Sequence, residues 1–216
     1  MDYAQARRNM VDCQLRTNKV TDDALLKAMG TLPREEFVPT ELRAKSYTDC
    51  DIEISATRSM MAPMTLARMF QCLQIGREDV ALVVGGSSGY AAAIMGQIAR
   101  VVFALESSAE DQERIGNLYT SLGLDNVVLV NGPLEKGWAK EAPYDIIFVD
   151  GAVETLPEEL FEQLVDGGRL IALVVENGIG RATRFIRKNA RNSGSVIFDA
   201  NAQLFSEFSK PQGFVF

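Results

Sequence analysis

The chain has 216 residues, 47% hydrophobic and 24% charged, proportions that suit a globular protein and exclude a fibrous or disordered one. Its formal charge of −7 argues against nucleic acid as a main partner, because binding phosphates needs a basic footprint. It contains no histidine, which excludes Ser-His-Asp and Cys-His catalysis and His-ligated metal sites, so acid–base work near neutral pH falls to a perturbed carboxylate or lysine.

The start, Met1 to Arg8, lacks an apolar signal core and reads as an amphipathic helix. No apolar run reaches the roughly 20 residues of a membrane span, so the expectation is a cytoplasmic protein without a membrane partner. Residues 1–74 read as helices and loops, an N-terminal helical segment. Thr21 is placed to cap a helix carrying Leu25, Leu26 and Met29, and Pro33 opens a turn before Phe37 and Val38. Pro63 starts a helix with Leu66, Met69, Phe70 and Leu73 on one face. Cys13, Cys50 and Cys72 form neither a disulfide framework nor a metal site and are expected as small buried residues.

From residue 80 the rhythm becomes strand–helix alternation. Val80–Val84 is a continuous apolar run, the mark of a parallel strand buried on both faces. A glycine-rich turn and a helix from Tyr90 to Ala99 follow. Val101–Leu105 is a second strand, and residues 109–122 are a helix closed by Gly123. Val127–Val130, Asp145–Val149 and Arg169–Val175 give three more strands, with a helix from Pro157 to Leu164 before the last. Arg181, Arg184, Arg187, Lys188 and Arg191 read as a solvated helix face, with an anionic partner as the lesser alternative. Val196–Phe198 and Gly213–Phe216 are candidates for two edge strands. The pattern predicts an α/β fold: a doubly wound, mostly parallel seven-stranded sheet, residues 75–216, preceded by the helical segment within one domain spanning 1–216.

Such sheets bind ligands beyond the carboxyl ends of the strands, where strand order reverses. The first strand ends in Gly85-Gly86-Ser87-Ser88-Gly89-Tyr90 and the second in Glu106. Glycines let a backbone turn tightly against a ligand, and a strand-terminal acid can accept from both hydroxyls of a ribose. Many βα turns contain glycine for structural reasons alone, so it is the pairing with Glu106 that favours a nucleotide. Dinucleotide binding is disfavoured, because the third residue of the turn is Ser87 rather than glycine. Asp150, in Phe148-Val149-Asp150-Gly151, ends the fourth strand at the same edge, where it would cap the turn, act as a base or orient an amine.

Arg8 to Asp12, Gln14-Leu15, Thr21-Asp22 and Pro33-Arg34-Glu35-Glu36-Phe37-Val38-Pro39 resemble the amino-terminal segment of the protein-L-isoaspartate O-methyltransferases. Ser88 to Ala92, Gly137-Trp138, Ala142 to Asp145 and Gly167 to Leu170 are similar to later landmarks of that family, in order and spacing. The resemblance covers nearly the whole chain, and the Gly213–Phe216 ending looks like a bacterial branch. It implies the S-adenosylmethionine-dependent methyltransferase fold and S-adenosyl-L-methionine as cofactor. The implied activity is methyl transfer to the α-carboxyl of isoaspartyl residues in damaged proteins or peptides, by a monomer or homodimer with no metal. The acceptor carboxylate is already ionised, so the reaction needs alignment more than a base.

The same resemblance exposes departures. The position of the family's catalytic serine, aligned on Pro63, is Met61, and a thioether donates no hydrogen bond. Ser59 stands two residues away as its possible substitute, with Asp150 as the second catalytic candidate. The acid expected two residues before the first glycine is Val83, the middle glycine is Ser87, and the acid expected near the adenine is Pro133. Three lost polar contacts at ~1 kcal/mol each would weaken the cofactor by roughly two powers of ten. The cofactor-binding set is then Gly85, Gly86, Ser87, Gly89, Glu106 and Gly132. The alternatives are a non-enzymatic binding or regulatory protein and a methyltransferase with another substrate.

Overall fold

A computed structural model of the chain describes residues 1–86 and 88–210. The Gly213–Phe216 strand expected from the sequence lies outside the described residues. The chain begins with α1 (Tyr3–Asn9), capped by the Asp2 carboxylate, and continues through a π-helical stretch at Met10–Leu15. Helix α2 (Asp23–Thr31) is capped by Asp22, whose carboxylate accepts from the Leu25 amide, and not by Thr21, whose amide donates instead to Gln71. Residues 1–74 are not wholly helix and loop: Ile52–Ser55 (β1) and Arg58–Met60 (β2) pair as a small antiparallel hairpin before α3 (Pro63–Leu73).

The large sheet follows: β3 (Val80–Val84), α4 (Tyr90–Gly96), β4 (Val101–Glu106), α5 (Ala109–Ser121), β5 (Val127–Asn131), β6 (Tyr144–Val153), α6 (Glu158–Glu162), β7 (Leu164–Glu176), β8 (Ile179–Lys188) and β9 (Arg191–Asp199). Its order is β5-β4-β3-β6-β7-β8-β9, with the first five strands mutually parallel and β8 and β9 antiparallel. The seven-stranded, mostly parallel sheet expected from the sequence is therefore present, with β8 supplying a strand where the sequence suggested a helix. Arg181, Arg184 and Arg187 stand at a spacing of three, and alternate residues of a strand face opposite ways. Arg184 donates to the Cys72 carbonyl on one face of the sheet and Arg187 to the Phe161 carbonyl on the other, while Arg181 pairs with Glu176 and Asp199.

Both sheet faces are covered, as continuous apolar strands require. Ala81, Val83, Ala104, Ile146 and Phe148 meet the N-terminal segment, α3, α4 and α5, and Leu82, Val84, Leu105, Ile147 and Val149 meet α6, Phe205 and Phe208. Cys13 and Cys50 are exposed and Cys72 is half-buried, against the expectation of three buried thiols. Among the described residues, no helix is long and apolar enough to cross a membrane.

The connection from β3 leads to β4 on one side, while that from β6 leads to β7 on the other. The crevice between the carboxyl ends of β3 and β6 is thus the switch point of the sheet, where such folds bind ligands.

Candidate functional site

At the end of β3 the chain turns through Gly85 and Gly86 and re-enters helix at Gly89–Tyr90. The Gly85 amide donates to the Leu105 carbonyl, the Gly89 amide to Gly86, and the Tyr90 amide to the Ser88 hydroxyl. Gly85 and Gly89 both have positive φ, 79° and 81°, where a side chain is strained. Protein packing also uses their missing side chains: a Cβ on Gly85 would lie 2.5 Å from the Phe205 ring, and one on Gly89 2.7 Å from Ile115. Ser87 lies outside the described residues.

Glu106 is buried at the end of β4, in register with Asn131 of β5, and its carbonyl accepts from the Gly132 amide. It forms part of the wall of a cavity of about 440 Å³ shared with Pro39, Ile54, Thr57, Arg58, Ser108 and Arg114. That volume is in the range of small-molecule sites. Gly132 packs beside Leu105 and Trp138 at ordinary contact distance. The structure brings Glu106 and Gly132 together at the mouth of β4 and β5, with the glycine turn on the adjoining strand.

The next strand over carries Asp150. Val84 of β3 pairs with Val149 of β6, so Asp150 follows at the level where the glycine turn begins. On its other side β6 bulges: Phe148 pairs with Ile171 and Ala152 with Leu173, leaving Val149, Asp150 and Gly151 opposite Ala172 alone. Bulges re-aim side chains, and here the carboxylate reaches the turn. Its Oδ2 lies 3.1 Å from where a Cβ on Gly86 would be. Asp150 is 5% exposed, and its Oδ1 has no hydrogen-bond partner.

Burial raises the Asp150 carboxyl to about 7, against the pull of Arg34 and with the push of Asp51. Tyr119 also faces it, its own ionisation opposed by burial and by the charges of Glu106 and Asp150. The folded protein therefore holds this proton more tightly than the unfolded chain, whose aspartate titrates near ~4. Stability from this group is full below about pH 4 and falls as pH rises through about 7. Asp150→Asn removes that loss. In thermal melts without ligand, the variant's advantage over wild type is expected to widen by roughly 3 kcal/mol, about 5–10 °C, between pH 5 and pH 8. Parallel melting curves across that range would contradict the assignment.

Facing Asp150 is Arg34, fully buried. Its Nε donates to the Ser46 carbonyl and its Nη2 to the Met61 carbonyl, both at 2.6 Å, and its guanidinium stacks 4.7 Å over Tyr90. Met61 is itself buried, its backbone fastened by Arg34 and its thioether in the core. Ser59 projects the other way. Its neighbours Arg58 and Met60 are buried, and it lines a separate cavity of about 380 Å³ with Asp51, Glu53, Ser55, Ala56 and Gln203. That cavity and the one at Glu106 share Ser55, with the hairpin between them.

The hairpin is fastened to the chain's far end. Arg58 bridges to Glu207 at 2.6 Å and stacks 4.5 Å over Phe205, and Gln203 donates to the Ala56 carbonyl. Phe205 in turn fits against both Gly85 and Gly151. Sequence reasoning assigned no role to Arg34, Arg58 or Phe205. Pro33-Arg34 carries no spacing that marks a buried cation, and the partners of Arg58 lie some 150 residues further along the chain.

Comparisons with known proteins agree on one family. Residues 5–204 match the model of protein-L-isoaspartate(D-aspartate) O-methyltransferase (PCMT). The chain is similar to the protein-L-isoaspartate O-methyltransferase of Koribacter versatilis, at 36% identity over 87% of this chain and 84% of that one. The enzyme of that name from Methylorubrum populi is also 36% identical, over 89% and 93%. A solved protein-L-isoaspartate O-methyltransferase superposes with a TM-score of 0.83 at 25% identity, covering 94% of this chain and 67% of that one. A structure from Plasmodium falciparum, of a beta-aspartate methyltransferase (PCMT) in complex with S-adenosyl-L-homocysteine, gives 0.79 at 18% identity over 96% and 99%, a likeness of fold.

Proposed function

The chain belongs to the protein-L-isoaspartate(D-aspartate) O-methyltransferase family, and from that premise we propose that it methylates the α-carboxyl of isoaspartyl residues in proteins or peptides, with S-adenosyl-L-methionine as donor. The observation that carries the proposal is the buried Glu106 carboxylate on a cavity of about 440 Å³ at the carboxyl edge of the sheet, where a ribose diol would be held. The Asp150 carboxylate, with Oδ2 beside Gly86 and Oδ1 unpartnered, fits the same ligand, because a cationic group would satisfy it.

Glu106 would accept from the ribose hydroxyls, Gly132 would allow close approach at the base, and the turn at Gly85, Gly86 and Gly89 would border the methionine end. When bound, the cofactor supplies a methyl activated on a sulfonium sulfur. The protein's remaining task is to align an ionised carboxylate with that methyl and exclude water. Ser59 and Asp150 are the polar candidates around the transfer, Ser59 on the acceptor side from the neighbouring cavity and Asp150 on the cofactor side from the core. Met61 contributes packing only, so alignment of the acceptor rests on fewer hydrogen bonds and turnover is slow. The protein works in the cytoplasm as a monomer or homodimer, with no nucleic-acid partner.

Incubation with methyl-labelled S-adenosylmethionine and an isoaspartyl peptide tests this. Base-labile methyl ester above the blank, absent with the aspartyl peptide of the same sequence, is the expected result. Cofactor binding without ester points to another acceptor, and the absence of both points to a non-enzymatic role.

A further inference from the structure

We propose that Asp150 is the anchor for the α-ammonium group of the cofactor's methionine moiety, a positioning role supplied from β6 instead of from β3. The inference rests on the cofactor reading above and deepens it. The carboxyl ends of two adjacent strands border the turn, and the last residues of β3, Val83 and Val84, are buried and apolar. Nothing on that strand can neutralise an ammonium. The bulge in β6 places an acid one strand across instead, with Oδ2 against Gly86 and Oδ1 unpartnered at 5% exposure.

An orphaned, nearly dry carboxylate is costly to keep in a fold unless a partner arrives with the ligand. The neighbouring cation does not meet that need. Arg34 donates Nε and Nη2 to the Ser46 and Met61 carbonyls, its Nη1 makes no hydrogen bond, and Oδ1 remains without a donor. The bound cofactor's cationic groups are its sulfonium, which donates no hydrogen bond, and its α-ammonium, which donates three. The ammonium is therefore the group that matches a carboxylate with an open lone pair. Gly86 fits the same picture, since any side chain there would press on Oδ2.

A ligand-and-residue cycle tests the role by calorimetry on the full chain. The probes are S-adenosylhomocysteine and its deaminated analogue, the 3-carboxypropyl thioether of 5′-thioadenosine. Wild type is expected to bind the amine-bearing ligand about 10- to 100-fold more tightly. In Asp150→Asn the two ligands should bind alike, at an affinity close to that of wild type for the deaminated one. Retained binding of the deaminated ligand shows that the variant's pocket is intact.

The anchor is overturned if wild type shows no preference for the amine, or if Asp150→Asn weakens both ligands equally. Failure of wild type to bind either ligand would overturn the cofactor reading together with the anchor. Those results differ, so the two ideas fail separately.

Discussion

Arg34→Ala is expected to lower stability by about 3–5 kcal/mol and the melting temperature by roughly 10 °C or more. The guanidinium is fully buried and serves three neighbours at once: the Ser46 carbonyl, the Met61 carbonyl and the face of Tyr90. Truncation leaves two carbonyls without a donor, each costing about 1–3 kcal/mol, and opens a cavity the size of the lost side chain. It also removes the cation that partly offsets the burial of Asp150. Arg34→Met separates these effects, because it fills volume without donating. Arg34→Lys keeps the charge but offers a point donor in place of a planar fork, so it should fall between wild type and alanine. Scanning calorimetry of the three variants checks the order. A melting temperature for Arg34→Ala within about 2 °C of wild type would show that the bonds are worth little.

The second large effect concerns the ligand. Glu106→Ala is expected to weaken S-adenosylhomocysteine about 100-fold, since a carboxylate accepting from two hydroxyls makes charge-assisted bonds of about 1.5–3 kcal/mol each. The residue is buried at a strand end on the wall of a cavity, so its loss can act on affinity and on folding together. A melting curve taken beside the titration separates the two. Unchanged affinity in a well-folded variant would mean that the ribose is held elsewhere.

Much of this was legible in the residues, and the reason differs from place to place. The parallel strands β3 to β7 declared themselves by their apolar runs, which in β3, β4 and β6 reflect cover on both faces. Glu106 was legible as an acid ending such a run. β9 was legible in part, as the edge strand suggested by Val196–Phe198, whereas β8 was not, because arginines at a spacing of three imitate a helix face. The clue was Asn177-Gly178, whose φ values of 52° and 77° make the primed turn that joins β7 to β8. The hairpin of β1 and β2 has strands of four and three residues, too short for a period to emerge.

The candidate site was half readable for a related reason. Gly85 announced a tight turn, but the residue that fits against it is Phe205, an approach that only the folded chain reveals. Asp150 was visible as a strand-terminal acid. That it is bulged toward the turn, buried and missing a partner depends on its register against two strands at once. Ser59 was proposed from proximity in sequence. Strand alternation turns it away from Met60 and into the cavity with Asp51 and Glu53.

The central claim is that the carboxyl edge of the sheet around the turn after β3, with Glu106 at the end of β4 and Asp150 in β6, holds an adenosyl ligand. Titrating S-adenosylhomocysteine into the full wild-type chain by calorimetry addresses it without reference to any acceptor. The expected result is one site with a Kd on the order of 1–100 μM, equivalent to roughly 5.5–8 kcal/mol. No saturable heat at millimolar ligand, from protein shown to be folded, would contradict it.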